Sequence, residues 1–185
     1  WALAFPEIIE RRGFDAFVGN PPFIKGHYIS RYFGDEHRQL LAAILAKDNA
    51  GLADFSTYFL SRGCSLVSEH GHVGLIVTNS LRDGDSREVG LKQQVENGLK
   101  IRLVEPDLPW PGTASVIVCF VILARQWNAK CKLAGRSVEA INPTLTDTTE
   151  LNPYSLSESA SLSFIGSYLL GDGFVFQEGE AKSAD

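Results

Sequence analysis

A chain of 185 residues with 44% hydrophobic and 21% charged residues has enough apolar material for one globular domain with a small appended piece. This composition excludes a disordered or fibrous protein, and the longest apolar run, Ser115 to Ala124, is about half as long as a membrane span. A formal net charge of −5 argues against a surface covered with nucleic-acid-binding lysines, but it leaves room for one basic face. We therefore expect a soluble, cytoplasmic protein without membrane contact.

The three cysteines predict neither a disulfide framework nor a metal site. Cys64, Cys119 and Cys131 show no CxxC spacing, and each lies in or beside an apolar run. Zinc sites need more closely spaced ligands, and intracellular cysteines remain reduced. The sequence therefore predicts three buried free thiols and no metal.

The first predicted element is a buried strand from Phe14 to Gly19, because this segment is short, apolar and rich in residues that favour strands. The strand ends at Asn20-Pro21-Pro22, since proline continues neither a helix nor a central strand. Polar residues with Gly, Tyr and His follow and indicate a loop. A helix is then predicted from Asp35 to Ala46.

A second helix is predicted to begin after Gly51-Leu52-Ala53-Asp54, with Asp54 as its N-cap. An entirely apolar strand from Val73 to Val77 comes next and ends at Thr78-Asn79-Ser80. These three polar residues either line a site or only satisfy backbone groups at the strand end. A third helix is predicted from Glu88 to Glu96.

Two further predicted strands, Ile101 to Val104 and Val116 to Leu123, complete an alternation of strands and helices. Apolar runs without polar alternation indicate a mostly parallel, doubly wound α/β sheet covered on both faces. Ligands of such folds bind beyond the carboxyl ends of the strands. Three loops are therefore expected at one edge: Asn20 to Phe23, Thr78 to Ser80, and Pro109 to Gly112.

The character of the sequence changes beyond Trp127, and the segment from Asn142 to Ser163 is rich in Ser, Thr, Asn and Pro. We therefore predict two parts. Residues 1–127 form the α/β domain, and residues 128–185 form a linker and the beginning of another region.

The loop Asn20-Pro21-Pro22-Phe23 is the strongest chemical signal in the chain. The amide oxygen of Asn20 and the backbone carbonyl of Pro21 are two acceptors on a stiff turn, and together they suit both N–H groups of an exocyclic amine. Such acceptors stabilise the positive charge that grows on the nitrogen when it attacks an electrophile. Phe23 offers an aromatic face on which a base stacks. The same four residues also fit an ordinary strand-ending turn.

The run from Phe14 to Phe23 resembles motif IV of amino-methyltransferases, which has the form (N/D/S)-P-P-(Y/F) after a strand. The resemblance extends downstream, since Ala53 to Leu60 and His72 to Ser80 are similar to the following helix and strand of adenine-N6 DNA methyltransferases of the MmeI-like, type IIG restriction–modification group. The stretch from Trp110 to Val116 is similar to a late hairpin of that group.

This resemblance implies the C-terminal portion of a Rossmann-like methyltransferase sheet, with residues 128–185 leading into a target-recognition or accessory region. The implied function is S-adenosylmethionine-dependent methyl transfer to N6 of a flipped adenine in double-stranded DNA, within a bacterial restriction–modification or related defence protein. The family's glycine-containing cofactor loop and its acidic ribose-binding residue have no match before Asn20. These elements are expected upstream, and this chain alone is expected to bind S-adenosylmethionine weakly.

The resemblance and the loop positions together assign candidate site residues. The catalytic loop is Asn20, Pro21, Pro22 and Phe23, the base pocket includes Trp110 and Asn79, and the phosphate contacts are Lys25, Arg31 and Arg82. Each of the three basic residues also fits ordinary solvated surface.

Two alternatives remain open at this stage. The motif itself also suits methylation of another planar amine, such as guanine N2 in ribosomal RNA, cytosine N4 or a protein glutamine. A non-catalytic DNA-binding remnant of a methyltransferase has the same fold without the chemistry.

Overall fold

The fold is an α/β structure around one mixed sheet, seen in a computed structural model that describes residues 3–47, 51–111 and 116–149. The elements are α1 (Pro6–Glu10), β1 (Phe14–Gly19), α2 (Gly26–Phe33), α3 (Asp35–Leu45), α4 (Phe55–Leu66), β2 (Val67–Thr78), a 3-10 turn (Asn79–Arg82), α5 (Gly84–Arg87), a π-helical turn (Glu88–Lys92), α6 (Gln93–Glu96), β3 (Lys100–Pro109), β4 (Ile117–Ala124), β5 (Cys131–Leu133) and β6 (Arg136–Val138).

Most predicted elements are present, and β1 has the predicted bounds. The predicted burial of this strand is wrong, because β1 lies at the edge of the sheet and none of its residues is fully buried. The predicted third helix is a continuous helical segment in which α5, the π-helical turn and α6 follow one another. The predicted loop after Pro22 is wrong, because α2 begins at Gly26. This helix buries Gly26 and Ile29 and exposes Tyr28 and Tyr32, so the tertiary contacts of two buried positions stabilise a segment whose composition favours a loop.

The strand order is β1-β2-β4-β3-β5-β6 in a six-stranded sheet. β1 pairs in parallel with β2, and β3 with β5, whereas β4 runs antiparallel to both β2 and β3. The α/β, Rossmann-like class is confirmed, but the expectation of a mostly parallel sheet is wrong. β3 and β4 form a hairpin, and the chain between Pro109 and Ile117 is shorter than a parallel crossover requires.

The orientation of β4 determines where the loops lie. Since β4 is antiparallel to each of its neighbours, β1, β2 and β3 all point in the same direction. Their last residues are Gly19, Thr78 and Pro109, at one edge of the sheet. The prediction that three loops share this edge is confirmed.

The core lies on the sheet face formed by alternate residues of β2 and β4, and it is covered by α4 and the helical segment from 84 to 96. Leu60 of α4 is fully buried against this face. A smaller apolar cluster, with Ile29, Phe55 and Tyr58, joins α2 and α3 to α4. The site edge therefore has a rigid apolar support on both sides of the loop that follows β1.

Residues beyond Trp127 continue the same sheet. β5 pairs with β3, and Ile141 and Leu145 are buried in the main core. The first compact unit runs from Trp1 to Glu150, so the predicted division at residue 127 falls inside it. The remainder of the predicted linker, from residue 150 onward, lies outside the described residues.

The cysteine prediction is confirmed, because Cys64, Cys119 and Cys131 are all buried and free. Burial raises the pKa of the Cys64 thiol and of the Cys119 thiol to about 12. Throughout the part of the chain that the structure describes, helices are too short or too polar to cross a membrane.

Candidate active site

The loop between β1 and α2 is anchored at its downstream end. The backbone N–H of Ile24 donates to the carbonyl of Pro22 at 3.1 Å, and the carbonyl of Ile24 accepts from the N–H of Phe55 at 2.9 Å. Pro21 is buried while Asn20 is exposed. The proline pair and the contact with the start of α4 thus fix a turn that presents Asn20 to solvent.

Two acceptors on this loop have no hydrogen-bond partner among the described residues, although Pro21 is buried. Within residues 3–47, 51–111 and 116–149, neither the side-chain oxygen of Asn20 nor the carbonyl of Pro21 accepts a hydrogen bond. No described protein group therefore has to be displaced from these acceptors before they bind an amine.

Phe23 and Trp110 meet at the site edge, although they are far apart in the sequence. Their ring centroids lie 5.7 Å apart at an interplanar angle of 87°, an edge-to-face contact. The N–H of Trp110 donates to the carbonyl of Val116 at 3.0 Å, which closes the β3–β4 hairpin. The hairpin thereby places one aromatic ring beside the loop that follows β1.

A cavity of about 350 Å³ opens at this edge, within the range of about 300–1,000 Å³ usual for small-molecule sites. Its described lining consists of Phe23, Lys25, Asp54, Thr78, Asn79, Ser80, Val116 and Ile117. Predicted residues from two loops, Phe23 and Asn79, therefore share one cavity. Asn20 and Trp110 are not part of that lining. Trp110 contacts Phe23, which does line the cavity.

Asn79 is bound to an acidic residue that the sequence did not single out. Its side-chain nitrogen donates to the Asp107 carboxylate at 2.6 Å, and its oxygen is buried without a partner among the described residues. The same Asp107 oxygen lies 3.4 Å from an Arg82 guanidinium nitrogen. Asp107 thus joins the end of β3 to the turn that follows β2.

The three predicted phosphate contacts lie in different surroundings. Lys25 is exposed and lines the cavity, whereas Arg31 is exposed on α2 and lies outside the lining. Arg82 pairs with Asp107 at the surface, with side chains 39% and 58% exposed. Such exposed pairs are worth about 0–1 kcal/mol, so Arg82 can exchange its partner for a phosphate.

Asp54 has a different role from the one predicted. It precedes α4, but its side chain makes no capping hydrogen bond to that helix. One carboxylate oxygen accepts from the N–H of Gly26 at 3.1 Å. The other accepts from the hydroxyls of Thr78, at 3.1 Å, and Ser80. The expected cap is therefore wrong, because these longer-range donors take both oxygens.

The acidic side chain in the described lining of the cavity, Asp54, does not fit the ribose site of S-adenosylmethionine, which the resemblance implies. A ribose needs a free acidic acceptor, and both oxygens of the buried Asp54 carboxylate are already bonded within the protein. No set of three or more His, Cys, Asp or Glu side chains among the described residues is arranged to bind a metal. The described residues at this edge instead offer the hydrogen-bond acceptors of Asn20 and Pro21 and the aromatic contact between Phe23 and Trp110.

Comparisons with known proteins identify the family of the chain. Residues 1–95 match the family model described as Eco57I restriction-modification methylase, which is just over half of the 185 residues. No protein of curated function matches the chain.

One solved structure is similar in fold, and a second is less similar. The first is the type IIL restriction-modification enzyme MmeI in complex with DNA, with a TM-score of 0.63 and 15% identity over 80% of this chain and 21% of that chain. The second belongs to a type I restriction–modification system, with a TM-score of 0.41 and 18% identity over 73% of this chain and 27% of that chain. The chain spans about one fifth of the length of the MmeI chain.

Proposed function

Because the chain belongs to the Eco57I restriction-modification methylase family, we propose that it takes part in methyl transfer from S-adenosylmethionine to N6 of an adenine in double-stranded DNA. The observation that carries this proposal is the loop Asn20-Pro21-Pro22-Phe23 at the carboxyl edge of the sheet, with two acceptors that have no partner among the described residues and an aromatic contact to Trp110.

The acceptors explain how the loop activates an amine. The exocyclic nitrogen of adenine is planar and conjugated, so it is a weak nucleophile. If one N–H donates to Asn20 and the other to the carbonyl of Pro21, the nitrogen becomes pyramidal. Its lone pair is then no longer conjugated with the ring. The positive charge that develops on nitrogen is then stabilised by both oxygens. S-adenosylmethionine supplies the methyl group when bound, and no described residue is assigned to hold it.

The aromatic residues suit a base that has left the duplex. The N6 amine lies inside the base stack, so an enzyme must extrude the nucleotide to reach it. Phe23 is half-buried beside the cavity, and Trp110 supports its ring from one edge. Stacking on Phe23 offsets part of the cost of unstacking the base.

Double-stranded DNA is the proposed partner, in keeping with the DNA complex reported for the MmeI structure. Lys25, Arg31 and Arg82 are the proposed phosphate contacts. They lie on the loop after β1, on α2 and on the turn after β2, around the edge where the base would enter. Contacts of this kind position the duplex without reading its sequence.

The test is a methyl-transfer assay on unmethylated bacterial DNA with the complete product of the gene that encodes this chain, followed by nucleoside analysis. We expect N6-methyladenine, and we expect Asn20→Ala to lower kcat by about 100-fold or more, as removal of one group that stabilises transition-state charge does. S-adenosylmethionine binding should change little, because Asn20 contacts the amine.

The matched control is Asn128→Ala, which removes an exposed amide beyond β4, away from the site edge. Its activity should equal that of the wild type. Full activity in the Asn20 variant would contradict the assigned chemistry. Label in cytosine, RNA or protein would instead replace the proposed substrate by one of the other planar amines.

A further inference from the structure

We propose, on the basis of that function, that Asp54 is the positioning residue that sets the distance between the Asn20–Lys25 loop and the end of β2. The carboxylate does not contact the reacting amine in this role. It joins Gly26, directly after the loop, to Thr78 and Ser80, which flank Asn79.

The loop depends on the first residues of α4 for its position. Two successive residues form hydrogen bonds to the loop and to the residue after it. The N–H of Phe55 donates to the carbonyl of Ile24 at 2.9 Å. The Asp54 carboxylate accepts from the N–H of Gly26 at 3.1 Å. The loop has no other described hydrogen bond to the rest of the protein downstream of Pro22. Loss of the carboxylate therefore removes one of the two described hydrogen bonds that join this part of the chain to the start of α4.

The second carboxylate oxygen carries the connection to β2. It contacts the hydroxyls of Thr78 and Ser80, and these hydroxyl oxygens lie 2.7 Å from each other. The two hydroxyl protons can serve only two of these three oxygen–oxygen contacts, and both are used when the carboxylate accepts from Thr78 and from Ser80. An amide in its place would turn a donor toward these hydroxyls.

The segment that carries Asp54 is itself fixed. The N–H of Asp54 donates to the hydroxyl of Ser86 at 3.0 Å, and the N–H of Leu52 donates to the Asp85 carboxylate at 2.6 Å. Asp54 is 8% exposed, so solvent does not compete strongly for its oxygens. Because this buried carboxylate is fixed and is hydrogen-bonded to both loops, a movement of one loop displaces the other.

A misplaced acceptor slows chemistry more than it weakens binding, because binding uses many contacts and methyl transfer needs aligned reacting atoms. We therefore expect Asp54→Ala to lower kcat by roughly 100-fold, the effect of a displacement of about 1 Å, with KM for DNA nearly unchanged. A general loss of stability would also lower the apparent kcat at unchanged KM by reducing the concentration of active enzyme, so kcat is calculated per folded molecule.

The experiment combines hydrogen exchange with steady-state kinetics in the complete gene product. The variants are Asp54→Ala, Asp54→Asn, and the control Asp83→Ala, which removes an exposed carboxylate nearby. In Asp54→Ala the peptide that contains Gly26 should exchange faster and kcat should fall, while Asp83→Ala should match the wild type. In Asp54→Asn the amide oxygen can still accept from Gly26, so protection should be retained while kcat falls.

Each outcome decides a separate question. Unchanged exchange at Gly26 in Asp54→Ala overturns the positioning role, and so does an unchanged kcat in both Asp54 variants. If Asp54→Ala does not fold, the isosteric Asp54→Asn decides through its kcat alone. If the wild type forms no N6-methyladenine, the proposed substrate is wrong, and the exchange data still determine whether Asp54 fixes the loop.

Discussion

Replacing Gly26 with alanine should displace α2 from the backbone that carries Asp54. A Cβ atom at this position would lie 2.1 Å from the carbonyl oxygen of Leu52, 2.4 Å from its carbonyl carbon and 2.8 Å from the oxygen of Ala53. These are backbone atoms that no side-chain rotation can move. Carbon–oxygen contacts normally begin at about 3.3 Å, so the start of α2 must move by roughly 1 Å.

Two measurements follow from this displacement. The first is stability: crowding of a packed interface typically costs about 1–3 kcal/mol, which should lower the thermal unfolding midpoint of the domain. The second is activity: the N–H of Gly26 is the donor to Asp54, so the loop with Asn20 moves with it. A shift of about 1 Å in the reacting groups lowers kcat by up to roughly 100-fold.

Gly74→Ala is the matched control for this variant. Gly74 lies on β2, and a Cβ there would meet Ile122 at 3.7 Å and Phe120 at 3.9 Å, both ordinary contacts. The same added methyl group should therefore leave kcat and the unfolding midpoint close to those of the wild type. Equal behaviour of the Gly26 and Gly74 variants would refute the close approach between α2 and the 52–53 backbone.

Two further predictions concern aromatic stacking and the thiols. Phe23→Ala should weaken binding of the extruded base by about 1–3 kcal/mol, measured as DNA affinity with a fluorescent base analogue at the target position, and an unchanged affinity would exclude stacking on this ring. Because burial raises the pKa of Cys64 and of Cys119 to about 12, the folded protein disfavours both thiolates at pH 8. Ellman's reagent should therefore modify them only on unfolding, and rapid reaction in the native protein would contradict their burial.

Local patterns were sufficient to predict much of the site edge. The strand from Phe14 to Gly19 and the loop Asn20 to Phe23 follow from strand propensity and from the proline pair, which act within a few residues. The shared edge of the three loops follows from the direction of the strands. Because β3 points the same way as β1 and β2, this prediction held even though the sheet is mixed.

Long-range contacts determine the features that the sequence did not predict. Asp54 lies 28 residues from Gly26 and 24 from Thr78, and an Asp before a helix gives the same local signal whether it caps that helix or binds elsewhere. Helix α2 was missed for a related reason. Its Gly, His and Tyr content favours a loop, and the burial of Ile29 against α4 is not visible in the segment itself.

The chain that connects β3 to β4 can change in length without disturbing the sheet. The ladder pairs Pro109 with Ile117, and the bond from Trp110 to Val116 completes it, so residues inserted between Pro111 and Val116 would leave every sheet hydrogen bond in place. Each doubling of such a loop adds only about 0.6 kcal/mol of closure entropy. The length of the chain between these two strands can therefore change at small cost, while the sheet that positions the loop after β1 stays the same.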